Sequence, residues 1–271
     1  MRQLLLAFQF LTIVPVKVPG KITDQDVAGS AAFFPLVGAF QGLATSISAV
    51  LLMKVFPADI TAGLTLFFLI LSNGGFDLDG LADTLDALAV KSSGDPENDR
   101  TRRLIVMKDS TTGAMGVVAL SVTILLKFVL MRRLLSDFPI LPAAVLLFLM
   151  PVFSKWINVP AMHHGVSARN NGLGRMFIEH AGRGCVLAST TIVISLCVIV
   201  ASLGLMRVSP GTLLKFCLLL FAAFYLFCLL AVQFLTKRFG GLTGDHFGAV
   251  TEISEILFLL AGYVWLQHSI L

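Results

Sequence analysis

The chain has 271 residues, of which 56% are hydrophobic and 13% charged, with a mean hydropathy of +0.89; a soluble domain carries charge on about a quarter of its residues, so that class is excluded. Apolar stretches long enough to cross about 30 Å of hydrocarbon recur along the chain without polar and apolar alternation, which specifies an all-α, polytopic helical bundle in a lipid bilayer and excludes an outer-membrane barrel. The net charge of +4 is scattered among the segments flanking those stretches, which points to topology and against a nucleic-acid partner.

In chain order, Arg2 followed by Leu4 to Val14 looks like a short signal peptide. No small-residue cleavage site follows closely, and Pro15 and Pro19 interrupt it, so it reads as a retained interfacial or re-entrant segment. Seven spans follow, at about 36–55, 60–76, 113–131, 140–157, 186–206, 212–235 and 253–270. Pro142 and Pro151 make the fourth the one expected to kink, while the second is near the lower length limit for a crossing. Cys185, Cys197, Cys217 and Cys228 lie in or beside apolar runs without a CxxC pair, as small packing residues.

Seven crossings put the N-terminus and the segments 77–112, 158–185 and 236–252 on one face of a single membrane domain, 1–271. Fourteen of the twenty Lys and Arg fall on that face, Lys155 among them. Lys54, Arg132, Arg133, Arg207 and Lys215 fall opposite, and Lys127, inside the third span, is expected to snorkel toward the far face. By the positive-inside rule the richer face is cytoplasmic and carries the active site. The middles of the spans read as nearly free of ionisable groups, which argues against cargo handled at mid-bilayer.

The run Asn73-Gly-Gly-Phe-Asp-Leu-Asp-Gly-Leu-Ala-Asp-Thr-Leu-Asp86 sets four carboxylates at the mouth of the second span. A helix from about Asp79 places Asp79, Asp83 and Asp86 within an arc of about 60° on one face, with Asp77 pointing elsewhere. Like charges in register repel, so a cation is expected among them, and carboxylates without His or Cys suit Mg²⁺ or Mn²⁺. A solvated acidic helix start, favoured by the helix dipole, is the plainer alternative, and it does not require three acids in register.

Two further clusters follow. In Arg102-Arg103-Leu-Ile-Val-Met-Lys108-Asp109-Ser110-Thr-Thr-Gly113-Ala-Met-Gly116, cations stand beside a glycine-bearing helix start, as a phosphate site requires; Arg103, Lys108, Ser110 and Gly113 are its candidate contacts. The same cations could equally be topology anchors, while Asp109 adds a further metal ligand or a base. In Lys237-Arg238-Phe-Gly-Gly-Leu-Thr-Gly244-Asp245-His246, Gly244 permits close backbone approach and Asp245 adds a carboxylate, with Glu252 and Glu255 expected at the start of the last span. His163, His164, Arg169, Asn170, Asn171 and Arg175 could contact a polar substrate, but a wet polar loop is the plainer reading and they are given no catalytic role.

Five motifs stand in a fixed order: Phe34-Pro35-Leu-Val-Gly38, Gly74-Gly75-Phe-x-Leu-Asp79-Gly80-Leu-Ala-Asp83-x-x-Asp86, Met107-Lys108-Asp109-Ser110-x-x-Gly113-x-x-Gly116, Gly172-Leu173-Gly174-x-x-Phe177 and Gly240-Gly241-x-Thr243-Gly244-Asp245. Through them the chain resembles the adenosylcobinamide-GDP ribazoletransferase (cobalamin synthase) family of the bacterial inner membrane. It departs from the family pattern at Asp77, where His is usual, and at Thr111, where a basic residue is common. The resemblance implies Mg²⁺-dependent joining of adenosylcobinamide-GDP to α-ribazole, or its 5′-phosphate, with release of GMP; a homo-oligomer is compatible with it. Placed on the residues read above, this chemistry is expected to have Asp79, Asp83 and Asp86 hold one or two Mg²⁺, Lys108 with Arg103 as a second candidate neutralise the leaving GMP, and Asp109 or Asp245 act as the base or a further ligand. The CDP-alcohol phosphotransferases are a rival enzyme class, but their motif has Arg after the Ala where Asp83 follows Ala82 here. A transporter with a cytoplasmic cation site is the rival of another class.

Overall fold

The computed structural model describes residues 1–206 and 208–270, all helical in their regular parts. Arg207, one of the five basic residues assigned to the far face, lies outside the described residues, as does the side chain of Ile270 at the end of the last span. The helices are α1 (Arg2–Leu11), α2 (Asp24–Ser30), a 3-10 turn at Ala31–Phe33, α3 (Phe34–Leu52), α4 (Ala58–Ser72), α5 (Phe76–Leu88), α6 (Pro96–Val106), α7 (Ala114–Asp137), α8 (Ile140–Trp156), α9 (Asn158–His164), α10 (Leu173–His180), α11 (Arg183–Ser202), α12 (Pro210–Phe239) and α13 (Gly244–Ile270). Among the described residues six helical runs are long and apolar enough to cross a membrane, and α4 with α5, a pair bent by 85°, brings the number to seven. The protein is a multi-pass membrane bundle.

The bend has a local cause. Gly74 and Gly75 take φ of 67° and 76°, a left-handed conformation that ends α4 cheaply only with glycine. Asn73 Oδ1 accepts the Gly75 amide at 2.9 Å, so the side chain closes the turn that the backbone opens. α4, at about 22 Å for its length, is the longer and more apolar arm of this broken span. α5 leaves nearly perpendicular to it and lies against α13, α7 and α6 at one end of the bundle.

α8 is the hub, with 83% of its apolar window buried when taken together with α9. The expected kink does not separate it into two pieces: Pro142 sits in the first turn, where no intrahelical amide is needed, and the helix runs through Pro151. α3 packs on α8 through Gly38 and Gly42, where a Cβ would collide with the backbone of Pro151 or Phe148. Close backbone approach at small residues is how membrane helices gain contact without a hydrophobic driving force. α1, with 10 residues, is too short to cross. It packs on α2 and α3, and the chain just beyond it ties to the end of α4 where Ile13 N donates to Ser72 O at 3.0 Å.

Three expectations are corrected in the bundle interior. Lys127 does not snorkel outward: it is 2% exposed and its Nζ donates to Glu252 and Glu255 of α13, each at 2.5 Å. Lys155 is no topology anchor, because it is buried in α8 and paired with Asp77. The span middles therefore do carry charge, balanced across α5, α7, α8 and α13, since an unpaired ion there would cost several kcal/mol. Finally, the last span starts at Gly244, about two turns earlier than expected, so Glu252 and Glu255 lie inside a helix.

Candidate active site

The segments expected as loops at 77–112, 158–185 and 236–252 contain α5, α6, α9, α10 and the ends of α12 and α13, and short turns between them bring the polar residues together. The crossing of α5 and α13 is the central joint. A Cβ at Gly80 would stand 2.5 Å from Asp245 O, and one at Gly248 would stand 2.8 Å from Asp77 O. Any larger residue at either position would push the helices apart, so these two glycines set the spacing between the acids of α5 and Asp245 at the start of α13.

Asp79 is exposed and Asp83 half-buried, and neither carboxylate has a protein hydrogen-bond partner among the described residues. Burial, together with the charges of Asp79, Asp245 and Asp86, pushes the Asp83 carboxyl up to about 6. Asp77 points away from this group, as its helical register requires, and accepts from Lys155 and Asn73. Its charge is thereby matched internally, which gives a reason for an acid at this position.

Asp86 shares the face of Asp79 and Asp83 but has a partner. Its Oδ2 accepts the Gly113 amide at 2.7 Å and its Oδ1 accepts the Gly116 amide at 2.8 Å. α7 has no side-chain cap of its own, so a carboxylate from α5 supplies one and meets the positive end of the helix dipole. Both glycines are needed for this, since a Cβ at either would collide with the Asp86 carboxylate. The spacing Gly113-x-x-Gly116 thus serves a contact between helices as well as any ligand.

Arg169, read from the sequence as part of a wet loop, lies beside the acids. Its Nη2 stands 3.3 Å from Asp245 Oδ2, and its charge acts on Asp83, opposing the upward push. The loop is fixed by a parallel bridge between Ser167 and Leu242, with Ala168 N donating to Leu242 O at 2.9 Å and Leu242 N to Val166 O at 2.7 Å. Gly241 allows that approach, as a Cβ there would lie 2.6 Å from Ala168 N. No local spacing connects Arg169 to Asp245; only the docking of the two segments does.

The remaining candidates are spread around this centre. Lys108 and Ser110 are exposed on the turn between α6 and α7. Asp109 closes that turn on itself, accepting from Thr111 Oγ1 at 2.7 Å and Thr111 N at 3.0 Å, and these bonds hold its carboxyl below the usual range. Arg103 faces inward, where its Nη1 donates to Arg238 O at 2.9 Å near the C-terminus of α12. Gly244 opens α13 against α10, since a Cβ on Gly174 would lie 2.7 Å from its amide. His164 is bound to Tyr225 at 2.7 Å and His163 to Ala181 O at 3.3 Å, away from the acids.

The donor set is one of hard carboxylate oxygens with excess negative charge, which fits Mg²⁺. Among the described residues no three acidic, His or Cys side chains are grouped closely enough to hold a metal ion by themselves, so an ion held by Asp79 and Asp83 would have to draw the rest of its shell from water and substrate phosphates.

The profile of the family described as cobalamin-5-phosphate synthase (CobS) matches residues 3–263. The chain belongs to the cobalamin-5-phosphate synthase family. An adenosylcobinamide-GDP ribazoletransferase of Thermodesulfovibrio yellowstonii is 34% identical over 271 residues, covering 97% of this chain and 98% of the relative. One from Desulfitobacterium hafniense is 36% identical over 266 residues, with 97% of each chain covered, and one from Geotalea daltonii is 34% identical with 96% of each covered. No solved structure matches the chain. Membership of the cobalamin-5-phosphate synthase family decides against both rival classes raised by the sequence, the CDP-alcohol phosphotransferases and the transporters.

Proposed function

We propose that Asp79, Asp83 and Asp245 form the catalytic centre of this transferase and work with Mg²⁺ on the cytoplasmic face of the membrane. The activity itself, adenosylcobinamide-GDP ribazoletransfer in cobalamin biosynthesis, follows from the family and from full-length likeness to transferases of that name. In that reaction a ribose hydroxyl of α-ribazole, or of its 5′-phosphate, attacks the phosphorus on the cobinamide side of the diphosphate. A new P–O bond forms, the bridging P–O bond breaks, and GMP leaves with the electron pair. Asp79 and Asp83 would hold the Mg²⁺, which would supply neutralisation of the charge that develops on the diphosphate oxygens.

The protein's own groups supply the rest. Arg169, already 3.3 Å from Asp245, and Lys108, exposed on the neighbouring turn, are the cations for the phosphate oxygens of the leaving GMP. Asp86 fixes the start of α7, and with it the turn bearing Lys108 and Ser110, to the acid-bearing helix. Asp245 is the better placed of the two candidate bases, because its charge acts directly on Asp83 within the acid cluster, whereas Asp109 sits on the exposed turn and is made less basic by Thr111. The convergence of Asp79, Asp83 and Asp245 across the Gly80 and Gly248 crossing carries this reading. The test compares GMP release by Asp245→Asn and Asp109→Asn in detergent. Asp245→Asn should lose about a hundredfold or more of turnover, while Asp109→Asn stays within about tenfold of the unmodified enzyme. The reverse order would reassign the base.

A further inference from the structure

Below the acid cluster, between α1, α5, α9, α10 and α13, lies a cavity of about 190 Å³. Phe10, Phe34, Phe177 and Phe247 supply its aromatic wall, with Phe177 packed edge-on against Phe10 and Phe34 at ring-centroid distances of 5.5 Å. Gly174, Gly244 and Gly248 present bare backbone to it. One buried polar atom there is uncommitted: Asn158 is 3% exposed, its Nδ2 donates to Thr251 Oγ1 at 2.8 Å, and its Oδ1 has no partner. Of the other polar side chains that line it, Asp77 is already taken by Lys155 and Asn73, and Gln9 is exposed at the rim, where water satisfies its amide. The cavity therefore asks for a flat, mostly apolar ligand that brings one hydrogen-bond donor.

The reaction offers three substrate parts, and their chemistry separates them. The corrin macrocycle with its amide rim is far too large. Guanine has several donors and acceptors on its edge, most of which an aromatic wall with one buried open acceptor would leave unpaired. The benzimidazole of α-ribazole is a flat, fused bicycle with a single free ring nitrogen, attached to a ribose that supplies hydroxyl donors. We infer that this cavity is the acceptor subsite, holding the aromatic base of α-ribazole with a ribose hydroxyl donating to Asn158 Oδ1. The inference rests on the catalytic reading given above. It also accounts for the direction of attack: Gly244 lines the cavity and its neighbour Asp245 belongs to the acid cluster, so a base seated here delivers its ribose to the reacting phosphorus.

The experiment uses full-length enzyme in detergent, α-ribazole as the probe, and two readouts: equilibrium binding of α-ribazole without the second substrate, and separate KM values for both substrates. Leu173→Trp narrows the cavity from its exposed rim, and Asn158→Leu removes the open acceptor. Each should weaken α-ribazole binding and raise its KM by roughly tenfold, with the KM for adenosylcobinamide-GDP unchanged. Asp83→Asn should lose turnover yet still bind α-ribazole. Unchanged α-ribazole binding in both cavity variants overturns the subsite. So does a rise in the KM for adenosylcobinamide-GDP alone, or loss of a co-purified lipid with nucleoside binding intact. If Asp83→Asn instead keeps its turnover, the catalytic reading fails, while binding by the Leu173 and Asn158 variants still decides the subsite.

Discussion

Asp83 stands at the point where stability and function conflict. A carboxyl pushed up to about 6 from its ordinary 3.8 keeps its proton more readily in the folded protein than in the unfolded chain. The folded state therefore binds the extra proton between those two values, and stability falls as pH rises through that window and stays lower above it. Without Mg²⁺, Asp83→Asn should melt a few degrees higher than the unmodified protein at about pH 7.5. The gap should close below about pH 4, where both side chains are neutral, and should narrow when Mg²⁺ is added. A melting curve with and without chelator, at both pH values, checks this. Helical register in the sequence placed Asp79, Asp83 and Asp86 on one face, but it carried no sign that Asp86 is bonded to amides 27 and 30 residues further on. Arg169 was missed for the same reason, since its partner Asp245 comes from another segment altogether.

α5 carries the chemistry because other helices hold it. Its start is tied by Asp77 to Lys155 of α8, its middle is pressed on α13 at Gly80, and its last turn caps α7 through Asp86. Beneath it, Lys127 of α7 joins Glu252 and Glu255 of α13, with Ser154 of α8 donating to Glu255 at 3.0 Å. Lys127→Met leaves two carboxylates buried and unmatched, which should lower stability by about 3–5 kcal/mol, measurable as a fall in melting temperature. Adding Glu252→Gln and Glu255→Gln should recover much of that loss, whereas a merely space-filling lysine would give no such rescue. The sequence placed Lys127 inside an apolar run and offered an outward path for its charge. Its true path runs inward, to two carboxylates of α13 that are 125 and 128 residues away in the chain, a pairing no spacing within α7 can show. The early start of α13 likewise followed from Gly244, a residue that reads as a turn yet begins a helix.

The order of the long apolar helices was legible, and six of the seven expected spans are single helical runs of crossing length, the second being the broken pair α4 and α5. What composition left out was that the segments between them are short helices packed at one end of the bundle, with glycines chosen for contact between backbones. The far end is closed by its own pairs, Arg132 with Asp59 and Arg133 with Asp137, the latter also accepting from Tyr263 at 2.8 Å. We propose the acid-bearing end as cytoplasmic from its excess of Lys and Arg. A Ser110→Cys variant should react with an impermeant thiol reagent in inside-out vesicles and stay protected in right-side-out vesicles; the opposite pattern would invert the bundle. The central claim is that Asp79 and Asp83, together with Asp245, carry a Mg²⁺-dependent transfer. Its most direct test is GMP release from adenosylcobinamide-GDP and α-ribazole by detergent-solubilised Asp79→Asn and Asp83→Asn proteins, across a Mg²⁺ titration. The account predicts properly folded proteins with turnover reduced by about a hundredfold or more and a weakened Mg²⁺ response, and near-normal turnover with an unchanged Mg²⁺ response would contradict it.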